Sequence, residues 1–283
     1  MYSIYSPAIT LTIAGSEATG GAGAQADLRT FQELGTYGAA ALTCIVSYDP
    51  QDNWNHRLTR IAPEVLGQQL EAIQANFVDQ LDTVKLGMMG SVETIDVVAQ
   101  ALRAQEWKNV VLDPVLICKG QQPGEAQDTD EALKSQLLPL ATMTTPNHFE
   151  AEQLSGISIG NIAQLKDAAR KIYDDSGVTV LAKGGIRLDG PEAVDVFYDG
   201  SSLEVLGVQK IGNHAVSGAG CSLAAAVTAE LAKGRTELEA AERAKDFVTG
   251  GINQRIEAAT PYDVMWQGGL RRMPQESAQD TQA

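Results

Sequence analysis

Short apolar, β-branched runs that end in glycine turns, alternating with amphipathic helical stretches, leave this chain few folds to choose from. Residues 8–14 (AITLTIA) form such a run and stop at Gly15-Ser16, as a buried strand does. Residues 22–34 read as a helix with Leu28, Phe31 and Leu34 on one stripe, closed by Gly35. A second strand is expected at 39–46. Residues 48–60 are polar, with Asp49-Pro50 and Asp52-Asn53 as turn signals, and are expected to form a surface loop. Pro63 opens a helix running to Phe77, placed in the first turn where its missing N–H is harmless. Residues 83–86, 110–112, 143–145 and 178–182 read as further strands, with helices at 91–102, 131–137 and 163–173 between them. This alternation calls for an α/β fold: a mostly parallel sheet covered by helices on both faces. Residues 194–198 and 203–208 flank Asp199-Gly200 as a hairpin. Two long helices follow at 220–232 and 238–256, and the polar stretch from about Gln275 to 283 is expected to be a disordered tail.

The pattern runs almost from end to end of the 283 residues, so one domain over 1–283 is expected. A net charge of −15 argues against general nucleic-acid or membrane-surface binding. A nucleotide ligand stays open, because a nest of backbone amides and a few cations can outweigh the distant field. No run approaches the roughly 20 apolar residues of a membrane span. Residues 1–7 carry neither the cationic nor the apolar section of a secretory signal. The three cysteines, Cys44, Cys118 and Cys221, are too scattered for a disulfide framework or a CxxC zinc site, so a cytoplasmic location is expected. His56, His148 and His214 have no spacing that suggests a metal site.

Chemistry concentrates in the segments that follow strands. Ser217-Gly218-Ala219-Gly220-Cys221-Ser222-Leu223 opens an alanine-rich helix. Bare amides at a helix N-terminus suit phosphate oxygens or a developing oxyanion. A thiol there is expected to have a lowered pKa. Gly21-Ala22-Gly23-Ala24-Gln25-Ala26 imitates a dinucleotide fingerprint, but Ser16 to Gly20 separate it from the strand end. Gly15 to Gly20 has the spacing of a phosphate loop without its Lys-Ser/Thr. A turn whose amides line a small-ligand pocket, or simply packs a helix on the sheet, fits better. Asn147 and Glu150 begin a helix after a strand, either as a cap with a dipole-favoured acid or with Glu150 holding Mg²⁺ through water. Asp113-Pro114 is a second carboxylate for that metal or a simple turn. Lys183, before Gly184-Gly185, neutralises phosphate or is merely solvated; Arg187 and Lys245 are weaker candidates. Cys118 sits beside Lys119, which favours its thiolate, or is an inert thiol.

Taken in order, GSEATGGAGAQADLRTFQELGTYG, VKLGMMGS, VLDPV, TPNHFEAEQLSG, KGG and SGAGCSLAAAV resemble the ribokinase-like superfamily and its vitamin-kinase branch. The likeness spans about Leu11 to Ala259. It implies a three-layer sandwich with a minimal lid, ATP as phosphoryl donor, Mg²⁺, and a homodimer. The implied reaction is ATP-dependent phosphorylation of the 5′-hydroxymethyl group of pyridoxal, and of pyridoxine and pyridoxamine, in vitamin B6 salvage. The hydroxymethylpyrimidine and phosphomethylpyrimidine kinases of thiamine synthesis are the alternative, as is dual specificity. Cys118-Lys119-Gly120, Tyr48 in place of a pyrimidine-binding glutamine, and Trp54-Asn55-His56 resemble the pyridoxal-phosphorylating members.

Carried over residue by residue, Gly218, Ala219, Gly220 and Cys221 match the anion hole and its base. Cys221 would take the proton from the attacking hydroxymethyl oxygen. Lys183 and Mg²⁺ near Glu150 and Asp113 would neutralise the transferring group, and Cys118 would ride on the lid, its thiolate adding reversibly to the aldehyde of pyridoxal. Ser16, Ala22, Asp27, Tyr48, Met88 and Val115 would surround the vitamin. Asn147, Arg187, Asp195, Gly220 and Lys245 would lie near the nucleotide. Glu17 for the usual Asp, Ala24 for a larger residue and Ser217 for a His depart from the pattern.

Overall fold

The computed structural model describes residues 6–116 and 123–272. Its strands are β1 (Ile9–Glu17), β2 (Tyr37–Asp49), β3 (Asn55–Arg60), β4 (Thr83–Leu86), β5 (Asn109–Leu112), β6 (Met143–Thr144), β7 (Thr179–Gly185), β8 (Glu192–Tyr198) and β9 (Leu203–Gln209). Helices are α1 (Gly23–Glu33), α2 (Pro63–Asn76), α3 (Val92–Arg103), α4 (Pro123–Ala132), α5 (His148–Ser155), α6 (Ile162–Ser176), α7 (Ala219–Ala232) and α8 (Glu237–Asn253). These strands form one nine-stranded sheet in the order β3-β2-β1-β4-β5-β6-β7-β8-β9. From β2 to β7 neighbours run parallel; β3 at one edge and the β8–β9 hairpin at the other are antiparallel. The expected sandwich of helices around a mostly parallel sheet is what the chain adopts. Among the described residues no helix is long and apolar enough to cross a membrane.

Period-two alternation assigns each strand residue to a layer. Leu11, Ile13, Val84, Leu86, Val110 and Leu112 pack with Leu66 of α2 and Ile95 and Val98 of α3. Their neighbours must face the other way. Val111, Leu181 and Phe197 accordingly join Leu223, Val227 and Phe247 of α7 and α8. Thr12 and Lys85 point to this second side too, both fully buried. Helix α7 is buried from Ser222 to Leu231, and its alanines let it lie against the sheet, α1 and α8 at once. Each fully buried Leu or Val contributes about 1.5–3 kcal/mol to that seat.

The chain runs from β1 outward to β2 and β3, then crosses back to β4 on the other flank of β1. The carboxyl ends of β1 and β4 therefore part, and a crevice opens at this switch point. Gly15, Glu17, Ala22 and Gly23 border that crevice.

Two expectations need correction. Residues 48–60 are not a loop: β2 continues to Asp49, Asn53 and Trp54 turn with φ of 48° and 61°, and β3 pairs back with Tyr48 opposite His56. A polar edge strand needs only one bonded neighbour and no apolar face, so hydropathy hides it. The helix expected at 131–137 begins at Pro123 as α4 and passes into a π-helical turn over Leu133–Leu137. The tail from about Gln275 lies outside the described residues.

Candidate active site

The turn before α7 depends on one backbone conformation. Gly218 caps the helix at φ 80°, in the left-handed region, and a Cβ there would lie 1.8 Å from the carbonyl oxygen of Gly21. Two glycine segments far apart in sequence thus meet backbone to backbone. Gly23, at φ 62°, similarly leaves no room for a Cβ, which would fall 2.2 Å from the Gly15 oxygen. Glu17 closes this loop by accepting the N–H groups of Thr19 (2.7 Å) and Gly21 (2.9 Å), so the longer acid in place of Asp is used structurally.

Two cavities flank the turn. The larger, about 570 Å³, includes Gly218, Ala219, Gly220 and Cys221 in its wall, and also Asn147, Lys183, Arg187, Asp195 and Lys245. Every residue expected near the nucleotide is therefore brought together. The opening amides of α7 and the positive end of its dipole favour an anion there. Lys183 Nζ lies 3.0 Å from Asp113 Oδ1. Burial opposes both charges, but each partner stabilises the other, so Asp113 stays below and Lys183 above its ordinary value. Lys245 Nζ meets Asp195 Oδ2 at 2.6 Å. Asn147 and Glu150 form a reciprocal capping box: Asn147 accepts the Glu150 N–H (3.1 Å) and Glu150 accepts the Asn147 N–H (2.7 Å). Burial pushes the Glu150 carboxyl up to about 8, with Lys183 opposing and Asp113 reinforcing.

The smaller cavity, about 290 Å³, is walled by Ala22, Tyr48, Met88 and Val115 as expected, together with Glu17, Gly23, His56 and Lys85. Antiparallel pairing puts Tyr48 and His56 on one face, ring centroids 4.7 Å apart. Burial pushes the Tyr48 phenol up, and its hydroxyl reaches Ser217. Ser16 and Asp27 are not in the wall. The Ser16 hydroxyl accepts from Gln25 Nε2 at 2.7 Å, and Asp27 lies behind Lys85, fully buried. Val115, Asn147, Glu150 and Cys221 border both cavities.

Cys221 thus stands where the cavities meet, partly exposed. Its expected low pKa is overturned: burial pushes the thiol up to about 11, against the pull of Lys85 and of the Gly23 N–H. The helix end is real, but removal of water from the sulfur wins. Cys118 lies outside the described residues. Among the described residues no three His, Cys, Asp or Glu side chains converge as a metal cluster. Lys85 is not among the expected site residues, although a lysine inside an apolar strand, Val84-Lys85-Leu86, marks it in the sequence.

The protein family described as phosphomethylpyrimidine kinase matches residues 17–264. The pyridoxine kinase of Bacillus subtilis is 44% identical over 245 residues, 86% of this chain and 90% of the relative. The structure of the pyridoxal kinase from Staphylococcus aureus in complex with AMP-PCP and pyridoxal superposes with a TM-score of 0.86 at 38% identity, covering 95% of this chain and 96% of that one. For a phosphomethylpyrimidine kinase from Clostridium difficile the TM-score is 0.71 at 34% identity, covering 85% and 97%.

Proposed function

This chain belongs to the phosphomethylpyrimidine kinase family of the ribokinase-like superfamily, and from that premise we propose that it is a pyridoxal kinase. It transfers the γ-phosphoryl group of ATP to the 5′-hydroxymethyl oxygen of pyridoxal and related B6 vitamers. The observation that carries this reading is the place of Cys221: beside the helix-end amides, on the wall shared by a nucleotide-sized cavity and a smaller one. Likeness to B6 kinases exceeds likeness to the pyrimidine kinase in both identity and superposition. The tilted Tyr48–His56 pair offers an aromatic wall for a pyridine ring.

In this reading Gly218, Ala219 and Gly220 receive the transferring phosphoryl group, and Lys183 neutralises its oxygens from across the cavity. Phosphoryl transfer needs little covalent help, so alignment and charge carry most of the rate. Glu150 and Asp113 fit a hydrated Mg²⁺, an ion that keeps several waters and is held by one or two carboxylates plus substrate phosphates. Such an ion supplies charge neutralisation at the phosphates. Asn147, Arg187, Asp195 and Lys245 hold the nucleotide; Ala22, Tyr48, Met88 and Val115 hold the vitamin. Ser16 and Asp27 act one layer behind. Cys221 Sγ accepts the hydroxymethyl proton, and since the thiol carries its own proton at rest, the minority thiolate is the working base. A homodimer and a cytoplasmic location belong to the same proposal.

The test is a parallel assay of the full-length protein with ATP, Mg²⁺ and, in turn, pyridoxal, pyridoxine and hydroxymethylpyrimidine. Higher kcat/KM on the B6 vitamers is expected, and a preference for the pyrimidine overturns the assignment. Cys221→Ala is expected to lower turnover about 10²–10⁴-fold while ATP binding, read by calorimetry, survives.

A further inference from the structure

Behind the smaller cavity lies a charge cluster that the proposed reaction does not yet use. Lys85 Nζ donates to Asp27 Oδ2 at 2.8 Å, and the same oxygen accepts the Thr12 hydroxyl at 2.6 Å. Both ions of the pair are completely buried. Asp27 Oδ1 has no hydrogen-bond partner among the described residues. A buried ion pair is weak evidence for stability, since well-packed apolar residues of similar volume often serve as well or better. One with an orphaned oxygen is poorer still, so a reason specific to charge is needed.

That reason faces the cavity. Lys85 borders the same cavity as Cys221, and its Nζ would sit 3.3 Å from a Cβ built on Gly87, another residue of that wall. We propose that Lys85 is a positioning residue: a cation, locked by Asp27 and Thr12 between β1, β4 and α1, that stabilises negative charge arising on Cys221 Sγ. The proposal rests on the reading of Cys221 as the base. Burial works against the charged sulfur, and Lys85 is the strongest influence in the other direction, while Asp113 and Asp27 oppose it. Lys183 from β7 and Tyr48 from β2 also feel the sulfur. Glu17, His56 and Glu150 are the remaining titratable groups on the wall. Asp27 thus acts in two ways: it holds the ammonium in place and partly offsets its field.

Iodoacetamide alkylation tests this without any turnover. The ligand-free full-length protein is alkylated at pH 8 and the Cys221 peptide is followed by mass spectrometry, which separates it from Cys44 and Cys118. Lys85→Met/Asp27→Asn removes both charges together. A one-unit rise in thiol pKa cuts the thiolate tenfold and raises its nucleophilicity about threefold, so alkylation is expected to slow about threefold. Asp27→Asn alone leaves the buried ammonium without its counter-ion, which favours loss of its proton and of its field, so alkylation of Cys221 is expected to slow here too. Loosening of the site would instead quicken both variants. An unchanged or faster rate in a folded double variant overturns the proposal. If the double variant does not fold, an unchanged or faster rate in Asp27→Asn overturns it instead. Undiminished turnover in Cys221→Ala would sink the base assignment separately, whatever the alkylation rates show.

Discussion

Gly218→Ala probes the meeting of the two glycine segments. A methyl at residue 218 would sit 1.8 Å from the Gly21 oxygen, well inside van der Waals contact, and the residue must keep φ near 80°. The left-handed conformation costs an L-residue about 1–2 kcal/mol, and forcing backbone aside adds about 1–3 kcal/mol. The sum is about 2–5 kcal/mol. For 283 residues the unfolding entropy is about 0.6 kcal/mol/K, so the melting temperature should fall by about 3–8 °C. Because the strain is relieved by moving Gly21 or the start of α7, the loss should reach the site: kcat falls while secondary structure by circular dichroism is kept. Gly220→Ala is the control on the same helix. Its Cβ meets only Lys183 Nζ at 3.5 Å, an ordinary contact, and replacing a helical glycine with alanine stabilises by up to about 1 kcal/mol. Calorimetry on both variants and initial rates on Gly218→Ala decide the matter; Gly220, part of the proposed phosphoryl-receiving turn, serves as the control for stability alone. A Gly218→Ala protein with wild-type melting temperature and turnover would refute the packing argument.

Activity should depend on pH through Cys221. With the thiol near 11, about one molecule in 10⁴ is thiolate at pH 7, and the fraction grows tenfold per unit. Accordingly kcat/KM on pyridoxal should climb from about pH 7 to about pH 9, whereas a flat profile would remove the thiolate from the mechanism; Glu150, near 8, adds a bend within that limb. Cys118→Ala should lower activity with pyridoxal and pyridoxine affected unequally, since only pyridoxal has an aldehyde for a thiolate to attack; equal losses count against the adduct. Lys183→Met should raise KM for ATP and lower kcat, and it leaves Asp113 buried without its partner, so a loss of about 3–5 kcal/mol in stability is expected from denaturant unfolding. Wild-type stability in that variant would mean that the pair relaxes into water.

Local signals carried the layered fold: strand runs closed by glycine, helix starts marked by Asn147 and by Pro63, and the Asp199-Gly200 turn all act within a few residues of themselves. What escaped was made by encounters between distant segments. Strand β3 has no apolar alternation and exists because β2 offers it a bonded edge, and only that register sets His56 against Tyr48. Lys85 reads as an intruder in an apolar strand until Asp27, on another element, is found 2.8 Å away. The sign of the Cys221 shift failed for the same reason. A helix end is visible in the letters Ser217-Gly218-Ala219-Gly220, but the amount of water left around a sulfur is a property of everything packed beside it. Local pattern therefore finds where an anion will be received, and tertiary packing decides how reactive the neighbouring thiol is. Between those two lies the contact of Gly21 with Gly218: neither glycine's segment is a site alone, and the receiving turn takes its shape only once they touch.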